Sequence, residues 1–282
     1  MKKITNWFSS LFSSSGEENT GAYGAPGAGK SVLISIVTTF CILAFWYITT
    51  EVLQLVRPLI FPSPTAVIDR FVDTLLYGFG DSVLTTHIGW SMYRVFTAFF
   101  LACITAIPIG ILMGVNRFMR GIFDPPIEFY RPIPPLAYLP LVIIWFGIDE
   151  TAKIIIIFLA IFAPLVLNTR AGVRSVAIEQ IHAAYSMGAN RRQVLAQIIL
   201  PAAMPEILTG MRIGIGFGWT TLVAAELLAA EQGLGFMINS AANFLTTSIV
   251  VMGIIVIGVI AYAFDLLMRY IERTVVPWKG KV

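Results

Sequence analysis

The sequence reads His182-Ala-Ala-Tyr-Ser-Met-Gly188 and, after nine intervening residues, Ile198-Ile-Leu-Pro201. This stretch is a polar interruption between long apolar segments. The chain around it has 282 residues, of which 57% are hydrophobic and 12% are charged. Soluble domains carry about 25% charged residues, so this composition is that of a polytopic membrane protein. Interruptions between spans are where such a protein meets soluble partners, and the quoted stretch is therefore the first candidate for a functional surface.

Local signals predict two short helices that meet at a bend in this stretch. Helical spacing of apolar residues runs from Val176 to Met187, and Gly188 is placed for a left-handed C-terminal cap. Asn190 and Gln193 have the spacing of a capping box, so a second helix begins there. Pro201 ends that helix or opens the next. The alternative is an ordinary helical loop that lies on the membrane surface.

The apolar segments predict an all-α fold with about six transmembrane helices, each near the twenty residues that cross the bilayer. The spans are Ser31–Thr50, Arg94–Val115, Ile127–Phe146, Ala152–Thr169, Ile207–Ala229 and Ile249–Met268. An amphipathic helix is expected from Thr65 to Leu76. The chain then divides into a flexible tail at 1–30, a transmembrane domain at 31–275 with the loop at about 176–201, and a short tail at 276–282.

The distribution of basic residues orients the predicted bundle. Most lie on one side, at Lys2, Lys3, Lys30, Arg117, Arg120, Arg170, Arg174, Arg191, Arg192, Arg269, Arg273, Lys279 and Lys281. The other side has Arg57, Arg70 and Lys153. The positive-inside rule therefore predicts that both termini and the loop are cytoplasmic. Because the net charge of +3 is concentrated at membrane edges, it does not indicate a nucleic-acid partner.

One segment imitates a nucleotide-binding motif. Residues Gly24 to Ser31 fit the P-loop pattern of glycines, lysine and serine. That pattern binds phosphate only between a strand and a helix of a folded α/β domain, and the sequence offers no such domain here. We therefore interpret the segment as a linker, with Lys30 as an anchor at the membrane edge. The two histidines, His87 and His182, are far apart, and no catalytic constellation, metal site or cofactor site is expected.

Four residues are candidates for a polar pathway through the membrane. Arg212, Trp219 and Glu226 are seven residues apart, so they share one helix face and are expected to face a partner helix or a pore. Arg131 lies in a segment crowded with prolines, where broken backbone at membrane depth indicates a cavity. Anchoring at the membrane interface is the alternative for Arg131, Arg212 and Glu226. A second stripe, of small residues suited to close helix packing, is Gly210, Gly214 and Gly218.

The loop resembles the EAA signature of ABC-importer permeases, in which a Glu-Ala-Ala sequence, a glycine and an Ile-x-Leu-Pro sequence follow one another. The matching positions are His182, Ala183, Ala184, Gly188, Ile198, Leu200 and Pro201, with His182 where the family usually has Glu. Beyond the loop, Tyr130–Pro140 and Glu206–Arg212 are typical of the nitrate/sulfonate/bicarbonate group of these permeases. Gly218–Glu226, Gly233–Met237 and the tail Pro277–Gly280 look most like taurine permeases.

This resemblance implies the type I permease fold of ABC importers, in an inner or plasma membrane, without enzymatic chemistry in this chain. The loop residues that match the EAA signature would contact a cytoplasmic ATPase. The implied partners are a second permease copy, two ATPase subunits, a periplasmic or extracellular substrate-binding protein and the lipid bilayer. The implied substrate is taurine or a related aliphatic sulfonate; nitrate, bicarbonate or another small anion stays open, as do a secondary transporter and a channel.

Overall fold

The computed structural model describes residues 32–278, which fall into two units divided after Pro64. The P-loop lookalike, the predicted tail at 1–30 and the last four residues of the predicted tail at 276–282 lie outside the described residues. In the first unit, α1 (Val32–Tyr47) continues into a π-helical turn (Ile48–Val52). Its large apolar side chains are mostly exposed, as expected of a helix that contacts lipid. The indole of Trp46 donates to the carbonyl of Pro62 at 3.0 Å and closes the following turn.

The second unit is built from helices. They are α2 (Pro64–Leu76), α3 (Leu84–Val115), α4 (Arg117–Tyr130), α5 (Pro135–Phe146), α6 (Glu150–Arg174), α7 (Ile178–Ser186), α8 (Arg191–Val194) with a π-helical turn (Leu195–Ile199), α9 (Leu200–Ala229), α10 (Leu234–Asn243) and α11 (Thr247–Val275). Apart from an isolated bridge between Phe79 and Ser82, the regular structure of residues 32–278 is helical. This confirms the predicted all-α class.

Five helical runs are long and apolar enough to cross a membrane, and a bent pair makes a sixth candidate. The bent pair is α4 and α5, whose axes differ by 105° at the break between Tyr130 and Pro135. The third span predicted at Ile127–Phe146 corresponds to this bent pair, and the break lies at its clustered prolines, which end one helix and start another. The amphipathic helix expected at Thr65–Leu76 is α2.

The second span begins ten residues earlier than predicted, at Leu84 instead of Arg94. A charge without a partner is expensive at membrane depth. In the structure Arg94 is buried at 1% exposure and has carboxylate partners, so the helix continues through it.

Helix α6 is the centre of the second unit, packed between α3 and α9. Glycines allow both contacts to be close: a Cβ added at Gly110 of α3 would lie 2.6 Å from the Cβ of Thr169. On the other side, a Cβ at Gly210 would lie 2.7 Å from the Cβ of Asn168, and one at Gly214 would lie 3.0 Å from a methyl of Ile161. The predicted glycine stripe of the fifth span is thus confirmed as a packing surface against α6.

Replacing Gly210 with alanine should destabilise the protein, whereas replacing Gly216 should not. The two glycines lie on the same helix, but an added Cβ at Gly216 has no heavy atom within 4 Å. Overpacking costs about 1–3 kcal/mol, and the better helix propensity of alanine returns about 1 kcal/mol at both positions. Thermal unfolding in detergent would measure this. Equal melting temperatures for Gly210→Ala and Gly216→Ala would contradict the packing of α9 on α6.

Candidate functional site

The predicted bend at the loop has the expected local geometry. Gly188 has a φ of 86°, which favours glycine, and its N–H donates to the carbonyl of Tyr185 at 2.9 Å. The side chain of Asn190 accepts from the N–H of Gln193 at 3.0 Å, and the side chain of Gln193 accepts from the N–H of Asn190 at 2.8 Å. Both the glycine cap and the capping box are therefore confirmed.

The second helix of the bend is long. Pro201 does not end it, because the chain runs from Arg191 to Leu228 as one helical stretch of 38 residues. A π-helical turn at Leu195–Ile199 comes just before the proline, and Leu200 donates there to the carbonyl of Leu195. The loop residues are thus joined directly to the membrane-spanning part of α9.

Helix α7 and the residue after it expose apolar side chains among polar ones. Ile178, Tyr185 and Met187 are 54%, 45% and 82% exposed. Of the residues expected to contact an ATPase, His182, Ala183 and Gly188 are exposed, Ala184 is buried, and Ile198, Leu200 and Pro201 are half-buried. Exposed apolar side chains at a helix turn are typical of a docking surface for another protein. The coupling role of these residues stays a prediction.

A cavity of about 520 Å³ lies beside the break between α4 and α5. Its walls come from the break itself, from the middle of α6 and from the middle of α9, so it is at mid-depth along both spanning helices. Its polar lining residues are Tyr130, Arg131, Tyr138 and Asn168, and Ile213 and Phe217 form the α9 wall. The structure thereby places Arg131 at a cavity, as the proline-rich sequence predicted.

Two of the lining groups lack partners. Among residues 32–278, the hydroxyl of Tyr130 is buried without a hydrogen bond, and Arg131 has no carboxylate within salt-bridge distance. The side-chain nitrogen of Asn168 donates to the carbonyl of Pro164 at 2.7 Å, which leaves its oxygen available as an acceptor. Arg131 and the side-chain oxygen of Asn168 can therefore bind a small polar molecule in the cavity.

The three residues of the predicted polar stripe have different surroundings. Arg212 lies 3.7 Å from a carboxylate oxygen of Asp265 and 3.4 Å from one of Glu272, both on α11. Trp219 is 6% exposed in the hydrophobic core, and its indole N–H has no partner in the described residues. Glu226 is wholly buried. Arg212 therefore faces a neighbouring helix, which is one of the two predicted alternatives, while Trp219 and Glu226 are covered inside this protomer. A pathway role for the three residues stays a prediction.

Glu226 belongs to a buried ion-pair network that the sequence analysis missed. One guanidinium nitrogen of Arg94 donates to Glu226 at 2.6 Å, and two others hold Glu150 at 2.6 and 2.8 Å. Glu150 also accepts from Lys153 at 2.7 Å, and Ser91 donates to Glu226 at 2.8 Å. The network thus joins α3, α6 and α9 at one end of the bundle.

The loop after α9 is attached to this network through its backbone. The N–H of Gly235 donates to Glu226 at 2.8 Å, and the N–H of Leu234 donates to the hydroxyl of Ser91 at 2.9 Å. Gly233 has a φ of 134°, and an added Cβ there would lie 2.5 Å from the carboxylate of Glu226. A glycine is therefore required where the loop passes over the carboxylate. Ser91 and Arg94 at three-residue spacing inside an apolar run were the signal that could have indicated the network.

Comparison with known proteins identifies the family. The model of the family described as binding-protein-dependent transport system inner membrane component matches residues 106–277. The chain belongs to this family. Its members are the membrane components of importers that work with a substrate-binding protein and an ATPase, so the chain is a transport subunit and not an enzyme.

This permease is similar to two individual members of the family and to one solved structure. It is 51% identical to the taurine transport system permease protein TauC of Escherichia coli, over 90% of this chain and 92% of that protein. It is 35% identical to the putative aliphatic sulfonates transport permease protein SsuC of Bacillus subtilis, over 85% of each chain. Its fold resembles that of the MetNI methionine ABC transporter in an inward-facing form, with a TM-score of 0.61 at 17% identity. That match covers 68% of this permease and 95% of the other chain, and it supports the type I importer fold.

Valine at position 188 should impair the permease, whereas asparagine should be tolerated. An added Cβ meets no heavy atom within 4 Å, so the backbone conformation is the cause of any defect. The left-handed region costs an ordinary residue about 1–2 kcal/mol, and asparagine adopts it more readily. ATP-dependent uptake by the assembled importer and co-purification of the ATPase would measure the effect. Normal values for Gly188→Val would show that the bend is not needed.

Removing Arg94 should be costly, because two buried or partly buried carboxylates would lose their partner. Arg94→Met should lower the free energy of unfolding by about 3–5 kcal/mol. Arg70→Met is the control, since Arg70 and Asp73 are half-exposed and 3.6 Å apart, a pair worth about 0–1 kcal/mol. The double variant Arg94→Met with Glu226→Met should recover part of the loss, measured by thermal unfolding in detergent. Similar melting temperatures for Arg94→Met and Arg70→Met would contradict the network.

Proposed function

We propose that this chain is the permease subunit of an ATP-driven importer for taurine or a related aliphatic sulfonate. The observation that carries the proposal is the 51% identity to the taurine permease protein over 90% of the chain. The similarity to the aliphatic sulfonate permease protein over 85% of the chain supports the same class of substrate. Taurine is a sulfonate that also carries an ammonium group.

The proposed assembly has two copies of this permease, two cytoplasmic ATPase subunits and a periplasmic or extracellular binding protein. The positive-inside rule supports cytoplasmic termini and a cytoplasmic α7. The exposed apolar side chains of α7 and the fixed bend at Gly188 fit a cleft in the ATPase surface. We propose that movement of the ATPase pair displaces α7 and, through the continuous helix beyond Arg191, the membrane-spanning part of α9.

The proposed pathway runs along the open face of α9 and the cavity at Arg131. Ile213, Phe217 and Thr220 are exposed at helical spacing on this face, and Gly216 lies between them without a neighbour. A second permease copy that covers this face would enclose a path between the two chains. Arg131 is the expected pathway residue that the geometry supports best. Arg212 would line the path close to α11. Trp219 and Glu226, on the buried side of α9, would hold in place the helix that lines the path.

Nitrate or another small anion is the second candidate substrate. It is favoured by 34% identity to the nitrate import permease protein NrtB of Synechocystis, over 78% of this chain and 82% of that protein. Both candidates carry an anionic group, so Arg131 serves either. They differ in the ammonium group, which nitrate lacks.

Cells that express the whole importer should accumulate labelled taurine, and unlabelled ethanesulfonate should compete better than nitrate. Arg131→Gln should lower this uptake at least tenfold, since a hydrogen-bonded charge is lost from the pathway. Arg117→Gln is the control, because Arg117 lies at the far end of α4 and does not line the cavity. Expression in the membrane and ATPase co-purification should be unchanged in both variants. Uptake of nitrate with no uptake of taurine would reject the sulfonate assignment.

A further inference from the structure

A second cavity, of about 330 Å³, lies between α9 and the C-terminal end of α11. It is separate from the cavity at Arg131, which lies beside α4 and α5. Its lining residues are Arg212, Arg269, Glu272, Arg273, Val276 and Pro277. The positive-inside rule predicts that this end of α11 is cytoplasmic, so the excess of arginine lies where a spanning helix leaves the membrane.

The carboxylates near this cavity do not use all of its guanidinium groups. Arg269 donates its Nε to Asp265 at 2.7 Å, and one terminal nitrogen of Arg212 donates to Glu272 at 3.4 Å. Among the described residues, Arg273 has no carboxylate within salt-bridge distance. A guanidinium has five N–H donors, so the terminal nitrogens of Arg269 and the whole guanidinium of Arg273 can still bind an anion.

An exposed apolar face of α11 leads to these two arginines. Tyr262 and Leu266 are four residues apart on this face, and they are 63% and 48% exposed. Arg269 comes three residues after Leu266, and Arg273 four residues after Arg269, so both continue the same face of the helix. Tyr270, which is 69% exposed, lies next to them, and tyrosine is enriched where a spanning helix meets the membrane surface. The face is thus apolar along the span and cationic at its end.

We propose that this cavity binds the phosphate of an anionic phospholipid, held by Arg269 and Arg273, with the acyl chains along the apolar face of α11. Guanidinium groups form charge-assisted hydrogen bonds with phosphate oxygens, and basic pockets between spanning helices suit anionic headgroups. A soluble phosphate would use the arginines but not the apolar face, so the combination favours a lipid. Arg212, paired with Glu272, closes the inner wall of the cavity. The site goes beyond the proposed transport function, because it does not involve the substrate.

Native mass spectrometry of the full-length permease with its ATPase, delipidated in detergent, tests this site. The complex is titrated with phosphatidylglycerol and, separately, with phosphatidylcholine, whose quaternary ammonium cancels the charge of its phosphate. Phosphatidylglycerol should fill one site per permease chain before weaker adducts form, and it should raise the melting temperature, since a ligand that binds the folded state stabilises it. Equal occupancy and equal stabilisation by the two lipids would overturn the inference.

Substitutions of Arg273 test the named residues. Arg273→Gln should weaken phosphatidylglycerol binding about tenfold, because a charge-assisted donor is lost, and Arg273→Lys should retain part of the affinity. Arg174→Gln is the matched control, since Arg174 is an exposed arginine at the end of α6 that does not line the cavity. Arg273 is exposed, so the lipid-free melting temperature should not change. Unchanged affinity in Arg273→Gln, or an equal loss in Arg174→Gln, would overturn the inference.

A soluble phosphate is the other source of the same anionic group. Inorganic phosphate and glycerol 3-phosphate carry the anion without acyl chains, so neither should displace phosphatidylglycerol from the wild-type complex, even in excess. Displacement by either compound, with binding of that compound lost in Arg273→Gln, would assign the cavity to a soluble phosphate and overturn the lipid site.

Discussion

The structure depends on the close contact of α6 with α3 on one side and α9 on the other. Lipid tails are as apolar as leucine, so helices in a bilayer gain little from burying apolar surface and rely on packing. Packing is strong only where backbones approach, and here Gly110, Gly210 and Gly214 provide that approach. Because α6 touches both neighbours, an alteration in its position changes the cavity and the ion-pair network together.

The buried network follows from the same constraint. Once α3, α6 and α9 are in contact, Arg94 and Glu226 are buried and must find partners within the protein, while the side chain of Glu150 stays 34% exposed. Arg94 satisfies this by holding Glu150 and Glu226 with separate nitrogens. A buried network of this kind is weak evidence for stability, but it defines one arrangement of the three helices and of the loop at Gly233. The network therefore holds the three helices together at one end of the bundle, whereas the glycines allow close packing in its middle.

Local features were predictable from the sequence, and long-range ones were not. The cap at Gly188 and the capping box at Asn190 depend on residues within three positions, so the spacing alone was sufficient. The partner of Arg94 is 132 residues away along the chain, and no local pattern reports it. For the same reason the start of α3 was misplaced: the sequence showed a charge, while the partners that allow it inside the membrane were invisible. Trp219 was expected to face a partner helix or a pore because its face carries two charged residues; it lies in the hydrophobic core, and those charges are paired with neighbouring helices.

The continuous helix from Arg191 to Leu228 connects the bend, the cavity wall and the ion-pair network. Its 38 residues extend over roughly 57 Å at 1.5 Å per residue. The capping box lies at its start, the cavity wall of Ile213 and Phe217 at its middle and Glu226 near its end. In the proposed mechanism, a displacement applied at the bend would be opposed at Glu226 by the ion-pair network, so the part between would move relative to α6. Since the cavity lies between those two points, the proposed movement would reach the cavity through this helix.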